Sequence, residues 1–185
     1  MPDEPNILKP EWDAEMPDAP FRARALRVGA RAGAQELGAT LYEVDAGGAI
    51  SPYHAHHANE ELLVVLSGSP LVRTPGGPRR VEAGAVLAFP RGEGGAHAVS
   101  NPGPEAARVL LVSTMHFPDI AEHLDTGALL AITGPAAGRA FPADADVPFA
   151  DAVMRALQAE AEAEAAAPGD AAAGDRPLPP GQSAP

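Results

Sequence analysis

The sequence predicts an all-β fold, a sandwich or barrel of short strands, for the middle of this 185-residue chain. Two observations carry that expectation. Short apolar or alternating runs recur from Phe21 to about residue 117, each closed by Gly, Pro or Asn. No segment between them holds a helical period, and regular short strands of this kind read as a sandwich or barrel. The chain is also long enough for one domain with a substantial core and too short for two.

Taken in order, the runs are "ARALRVG", "ATLYEVDAG", "LLVVLSG", "PLVRTP", "RRVEAG", "AVLAFPRG", "HAVSN" and "ARVLLVST". In "TLYEVD", Leu41 and Val44 break strict alternation, so the faces of that strand are left unassigned. Leu63, Val65, Val86 and Phe89 are expected to line the interior or pack around it. Gly68 follows a strand directly, a position that calls for a positive φ in a tight turn.

The flanks differ in texture. Residues 1–20 mix prolines with six acidic groups around Trp12 and read as an extended arm that precedes a barrel domain over 21–141. Residues 142–185 form a third region. "DAVMRALQAEAEAEAAA" is a good helix former in which Phe149, Val153 and Leu157 recur at spacing four. The remainder, "PGDAAAGDRPLPPGQSAP", reads as a disordered acidic tail.

Composition excludes several classes. There is no cysteine, hence no disulfide, thiolate metal site or cysteine nucleophile. The net charge of -12 with a single lysine, Lys9, argues against nucleic acid as a partner. Half of that charge lies after residue 142, where eight acidic residues face two arginines, so charge says little about a substrate of the middle region. No run is long and apolar enough to span a bilayer, and "MPDEPNILKP" lacks the basic start and apolar stretch of a secretory signal. A cytoplasmic location without membrane association is the resulting expectation.

The stretch "SPYHAHHANEELLVVLSG", residues 51–68, carries the chemistry. His54 and His56 are two apart and share a strand face, whereas the adjacent His57 points the other way. Glu60 and Glu61 open the next strand, and only one of them can face the interior with the histidines. His97, in "GGAHAVSN", is within reach of a return strand. His116 and His123 fall outside this pattern. Two His from one strand, one carboxylate from the next and a third His make a four-ligand cage of nitrogen and oxygen. Such a cage suits Mn, Fe, Ni, Co or Zn better than Ca or Mg, and in octahedral geometry leaves two positions for a ligand.

These blocks resemble the two conserved motifs of the cupins. Gly48, His54, His56, Glu61 and Gly68 fall in the places of the first motif, which favours Glu61 over Glu60 as the ligand. Gly84, Pro90, Gly92, His97 and Asn101 fall in those of the second, except that four residues rather than two separate Gly92 from His97. The resemblance implies a small double-stranded β-helix, or jelly-roll barrel, with a metal inside on His54, His56, Glu61 and His97, commonly as a homodimer.

Around that site Tyr42, Tyr53, Arg73 and Phe89 are the pocket candidates: two phenols, one partner for an anion and one apolar wall. The ordinary place for Tyr42 and Phe89 is the core, and for Arg73 the surface. The function expected is binding or transformation of a small oxygenated metabolite at a divalent metal, by dioxygenase, decarboxylase or isomerase chemistry. The alternative is a non-catalytic binding or sensing barrel. Fold alone does not choose between them.

Overall fold

β-Branched and leucine-rich runs punctuated by glycine fold here as fourteen strands, in a computed structural model that describes residues 4–135, 137–145 and 147–166. In chain order they are β1 (Ala14–Met16), β2 (Ala23–Leu26), β3 (Leu37–Val44), β4 (Gly48–Ala49), β5 (His54–His56), β6 (Glu61–Ser67) and β7 (Leu71–Thr74). There follow β8 (Gly77–Arg80), β9 (Val86–Phe89), β10 (Ala98–Asn101), β11 (Ala107–Thr114), β12 (Asp119–His123), β13 (Ala128–Gly134) and β14 (Ala137–Phe141). One helical turn, α1 (Val28–Arg31), lies between β2 and β3.

The strands form three antiparallel sheets. The largest has the order β1-β2-β3-β11-β6-β9, and the two smaller ones are β4-β10-β7-β8 and β14-β13-β12-β5. Reciprocal backbone bonds between His54 and His97, 3.1 and 2.8 Å, join β5 to the segment entering β10 and so tie the two small sheets together. Every large-sheet neighbour beyond the β2–β3 turn is non-consecutive in sequence, which is the crossing pattern of a jelly roll.

The core sits between the large sheet and the β4-β10-β7-β8 sheet. Leu63, Val65, Leu87, Phe89 and Val109 from the first meet Val72 and Val99 from the second in one cluster with Val81. Burying each such side chain contributes roughly 1.5–3 kcal/mol. Alternation assigns the faces: on β6, Glu61, Leu63 and Val65 point inward, while Leu62 faces solvent. The same rule corrects the expectation for Val86. It is 59% exposed, because Leu87 and Phe89 take the inward positions of β9.

Leu41 and Val44 are both fully buried, although they lie on opposite faces of β3. β3 lies inside the sheet, and α1 packs against it so closely that a β-carbon on Gly29 would stand 2.8 Å from the Ala39 nitrogen. That contact lies at the Leu37–Ala39 end of β3, and farther along the strand both faces are buried, at Leu41 and Val44. Gly68 adopts φ 77° after β6 and lies against Ala107, whose Cα would stand 2.8 Å from a β-carbon there.

Part of the expected N-terminal arm is a strand: Ala14 pairs with Ala25 at the edge of the large sheet. Asp13 anchors it, accepting the Arg27 amide (2.7 Å) and two guanidinium bonds from Arg31 (2.9 and 2.6 Å). Trp12 is half-buried, with the Arg24 guanidinium 5.4 Å from its ring centre. The chain divides into two units, Met1–Ala145 and Asp146–Pro185. Within the second, Phe149–Ala166 is a helix, α2, so the expected helix is present, whereas the expected disordered tail from residue 167 lies outside the described residues. Among the described residues no helix is long and apolar enough to cross a membrane.

Candidate metal centre

β5 is only three residues long, and its period of two places His54 and His56 on one face with Ala55 on the other. β6 brings Glu61 to them as its first inward residue, and Glu60 is exposed outside. His97 arrives from the third direction, 2% exposed, with its ring stacked on Phe89 at 3.9 Å and 6°. Ligand atoms of His54, His56 and Glu61 all lie within 4.8 Å of one another, and Glu61 Oε2 is 3.0 Å from His97 Nε2.

The tautomers follow from what the other ring nitrogens touch. His54 Nδ1 is 2.9 Å from the Pro52 carbonyl, His56 Nδ1 is 2.6 Å from Asp119 Oδ2, and His97 Nδ1 is 3.0 Å from the Gly95 carbonyl. These oxygens only accept, so each Nδ1 carries the proton and donates it. In the neutral rings every Nε2 is then a bare lone pair. The Nε2 atoms of His54 and His56 face each other at 3.1 Å. Glu61 Oε2 and His97 Nε2 are buried and make no hydrogen bond within the chain. Lone pairs converging on a carboxylate oxygen repel one another and leave buried polar atoms unsatisfied, a cost that a cation between them removes. The donor set therefore fits a metal ion.

Protonation states agree with that use. Burial, then the neighbouring His97 and His56, push His54 down to about 4, so the ring is neutral at pH 7. Burial acts to raise Glu61, and His97, His56 and His54, when their rings carry a proton toward it, lower it below its ordinary value. Tyr42 is raised by burial and by the Glu61 charge, so its phenol keeps its proton.

Two residues outside the motif blocks, and one turn inside the second, stand beside the cluster. Asp119, on β12, is 1% exposed and uses one oxygen for His56 Nδ1–H and the other for the Ala58 N–H at 2.7 Å. Burial works against its ionisation, and the Ala58 amide, the Asn59 side chain and His56 more than offset that, leaving its pKa below the usual carboxylate value. His123, also on β12, pairs in register with His54, and the two ring centres are 6.3 Å apart. The lengthened connection after Gly92 folds into a single 3-10 turn, Glu93–Gly95, which supplies the carbonyl that orients His97. The Gly92 amide also donates to the His56 carbonyl at 2.8 Å, tying that turn to β5.

The pocket candidates divide. Tyr42 lines a cavity of about 390 Å³ whose wall includes His56, Glu61 and Asp119, and Phe89 packs beneath His97. Tyr53 and Arg73 do not line that cavity: the guanidinium of Arg73 lies 3.9 Å from the Tyr53 ring centre and binds Asp125 through two hydrogen bonds, 2.6 and 2.8 Å, at the surface. Of the remaining histidines, His57 faces outward and meets Glu122 at 3.1 Å, and His116 touches the Ala58 carbonyl at 3.3 Å.

Residues 40–113, which hold both blocks, match the Cupin domain family. Over those residues the chain carries a cupin domain. The chain is similar to a sugar phosphate isomerase of the cupin superfamily from Silicibacter pomeroyi, with 24% identity over 70% of this chain and 82% of that one, at a TM-score of 0.62. It is also similar to a presumed sugar phosphate isomerase from Acidithiobacillus ferrooxidans, with 21% identity over 75% and 86% of the two chains, at a TM-score of 0.64. At these identities the likeness is one of fold. No curated protein matches the chain significantly.

Proposed function

We propose that this chain holds one divalent transition metal on His54, His56, Glu61 and His97 and binds or transforms a small oxygenated metabolite in the adjoining cavity. The observation behind this reading is the commitment of all three Nδ1–H groups to oxygen acceptors, which leaves the Nε2 lone pairs of His54 and His56 grouped with the Glu61 carboxylate and that of His97 3.0 Å from Glu61 Oε2. Three imidazoles and a carboxylate suit Mn, Fe, Ni or Zn. Such an ion, when bound, supplies Lewis-acid polarisation of ligand oxygens.

The chain's own residues supply the rest. His56 and Glu61 are shared between the cluster and the cavity, so a molecule in the cavity meets the cluster on that side. Asp119 holds the His56 ring, and Tyr42 offers a protonated phenol. The volume, about 390 Å³, falls at the lower end of small-molecule sites.

One observation favours the second reading, a non-catalytic binding or sensing barrel. Among the groups lining the cavity with shifted pKa values, Glu61 and Asp119 are held low and Tyr42 high, so none of these is poised near neutrality as an acid–base catalyst. Leu37, Leu62 and Val86, exposed on the large sheet, support a homodimer closed through that sheet, which a solution mass of one chain would contradict.

Elemental analysis of purified, untagged protein tests the metal, with a His54→Ala, His56→Ala double variant alongside. About one Mn, Fe, Ni or Zn per chain, lost in the variant, is the expected result. Wild-type protein that stays metal-free after reconstitution refutes the proposal. A metabolite that raises Tm and is recovered unchanged selects the sensing reading.

A further inference from the structure

The uncharged polar side chains that line the cavity beside the cluster are of two kinds. Asn59 and Thr114 are engaged within the chain. The Thr114 hydroxyl donates to Asn59 Oδ1 and accepts the Glu60 amide, both at 3.1 Å. Asn59 also accepts the His116 amide at 2.8 Å and donates to the His116 carbonyl at 3.1 Å. Thr40, Tyr42 and Ser113 keep capacity for a ligand. The Ser113 hydroxyl gives its proton to the Thr114 carbonyl at 3.0 Å and retains its lone pairs. Tyr42 stays protonated, because burial and the Glu61 charge raise its pKa, and its hydroxyl neighbour is Thr40. Only one proton can lie between two hydroxyls, so the Thr40–Tyr42 pair has a second one to give.

Strand geometry sets these three residues in a row. Tyr42 and Thr40 are two apart on β3 and share its inner face, and Ser113 on β11 pairs with Gly38, two residues further along. Each step is about 7 Å of backbone, and the row begins at Tyr42, beside Glu61. At its far end Gly38 has no side chain, and Met115 takes the space: a β-carbon there would stand 2.7 Å from the Met115 sulfur. The β14-β13-β12-β5 sheet supplies Ile132, which with Phe117 and Met115 makes an apolar part of the lining. A hydroxyl both donates and accepts, and it is matched by a group that does the same. Neutral hydroxyls in a row beside apolar side chains therefore fit a molecule with several hydroxyls along one edge and C–H groups on its face.

We infer that Thr40, Tyr42 and Ser113 read hydroxyl groups of the ligand, and that the cavity takes a polyol of single-ring size, its hydroxylated edge on β3 and β11 and its C–H face on Phe117 and Ile132. A cavity of about 390 Å³ suits a molecule of that size. The inference rests on the proposed function only in taking this cavity as the ligand site. None of the three hydroxyl residues belongs to the cluster of His54, His56, Glu61 and His97.

Ligand-observed NMR titration tests it on the full chain, both metal-free and reconstituted. The probes are D-glucose, D-mannose, D-xylose and myo-inositol, each set against trans-1,2-cyclohexanediol, which keeps a ring and a vicinal oxygen pair but lacks the other hydroxyls. At least one polyol is expected to bind about tenfold more tightly than the diol, as two added hydrogen bonds allow. Thr40→Val and Tyr42→Phe each remove a hydroxyl and little else. Each is expected to cut that preference about two- to tenfold, while metal content stays unchanged. Ser113→Ala repeats the test from β11 should either variant not fold. Four polyols that bind no more tightly than the diol overturn the inference, and so does a preference that survives the substitutions. Elemental analysis reports metal uptake separately, and the comparison on metal-free chain stays readable should the metal reading fail.

Discussion

Asp119 offers the sharpest test of how the centre is held, because it lies outside both motif blocks and bonds directly to a ring of the cluster. Its two oxygens are divided between His56 Nδ1–H at 2.6 Å and the Ala58 N–H at 2.7 Å, at 1% exposure. In Asp119→Asn one oxygen becomes an NH2 group that faces a donor, so one of the two bonds is lost. A buried donor left unsatisfied costs about 1–3 kcal/mol. Freeing the His56 ring costs metal affinity about 10- to 100-fold, the usual effect of losing an outer partner of a ligating His. The assay is competition of apo protein with a chelating indicator for Zn or Mn, run beside thermal melts of the apo forms. The expected outcome is weaker metal binding by that factor, with Tm lower by several degrees. A variant whose apo Tm falls while its metal affinity stays within twofold of wild type refutes the reasoning, since Asp119 would then serve packing alone.

Three further outcomes follow from the same coordinates. Gly95→Ala places a β-carbon into the Pro90 carbonyl, so the 3-10 turn must shift and release His97; metal affinity is expected to fall more than apo stability, and an unchanged affinity counts against that turn as a positioning device. Leu63→Ala empties a site of 0% exposure at the centre of the core and is expected to cost about 2–5 kcal/mol by chemical denaturation, with a loss below about 1 kcal/mol contradicting the assigned core. Asp13 is held below its ordinary value of 3.8 by the Arg27 amide and the Arg31 guanidinium. Because the folded pKa is depressed, its contribution is complete above that value and disappears as pH falls through the lower folded one. Wild type is therefore expected to be more stable than Asp13→Asn from pH 5 to 7 and to converge with it in strong acid. A gap that persists unchanged at pH 2 speaks against this linkage.

The strands were legible because the signals that form them are local. Alternation on β6 and β9, with glycine at the turns, can be read from neighbours in the chain, and His54, Ala55 and His56 show their faces at once. The same locality explains the misplacement of Val86: an apolar residue in a short strand is as easily outside as inside until the phase of that strand is known. Leu41 and Val44 are unreadable for a related reason, since both faces of β3 are buried there and alternation marks only a half-buried strand.

What the sequence determined by itself was the strand-rich class, the four candidate ligands and the presence of a helix after residue 142, all of which depend on residue types at short spacing. Only the tertiary structure decided that Asp119 orients His56 across a separation of 63 residues, that His123 stands beside His54, and that Arg73 is bound to Asp125 rather than to the cavity. The reason is physical. Strand phase and turns are set by backbone geometry over a few residues, whereas these partners are chosen by register between strands distant in sequence, and register follows from burying the whole apolar face together.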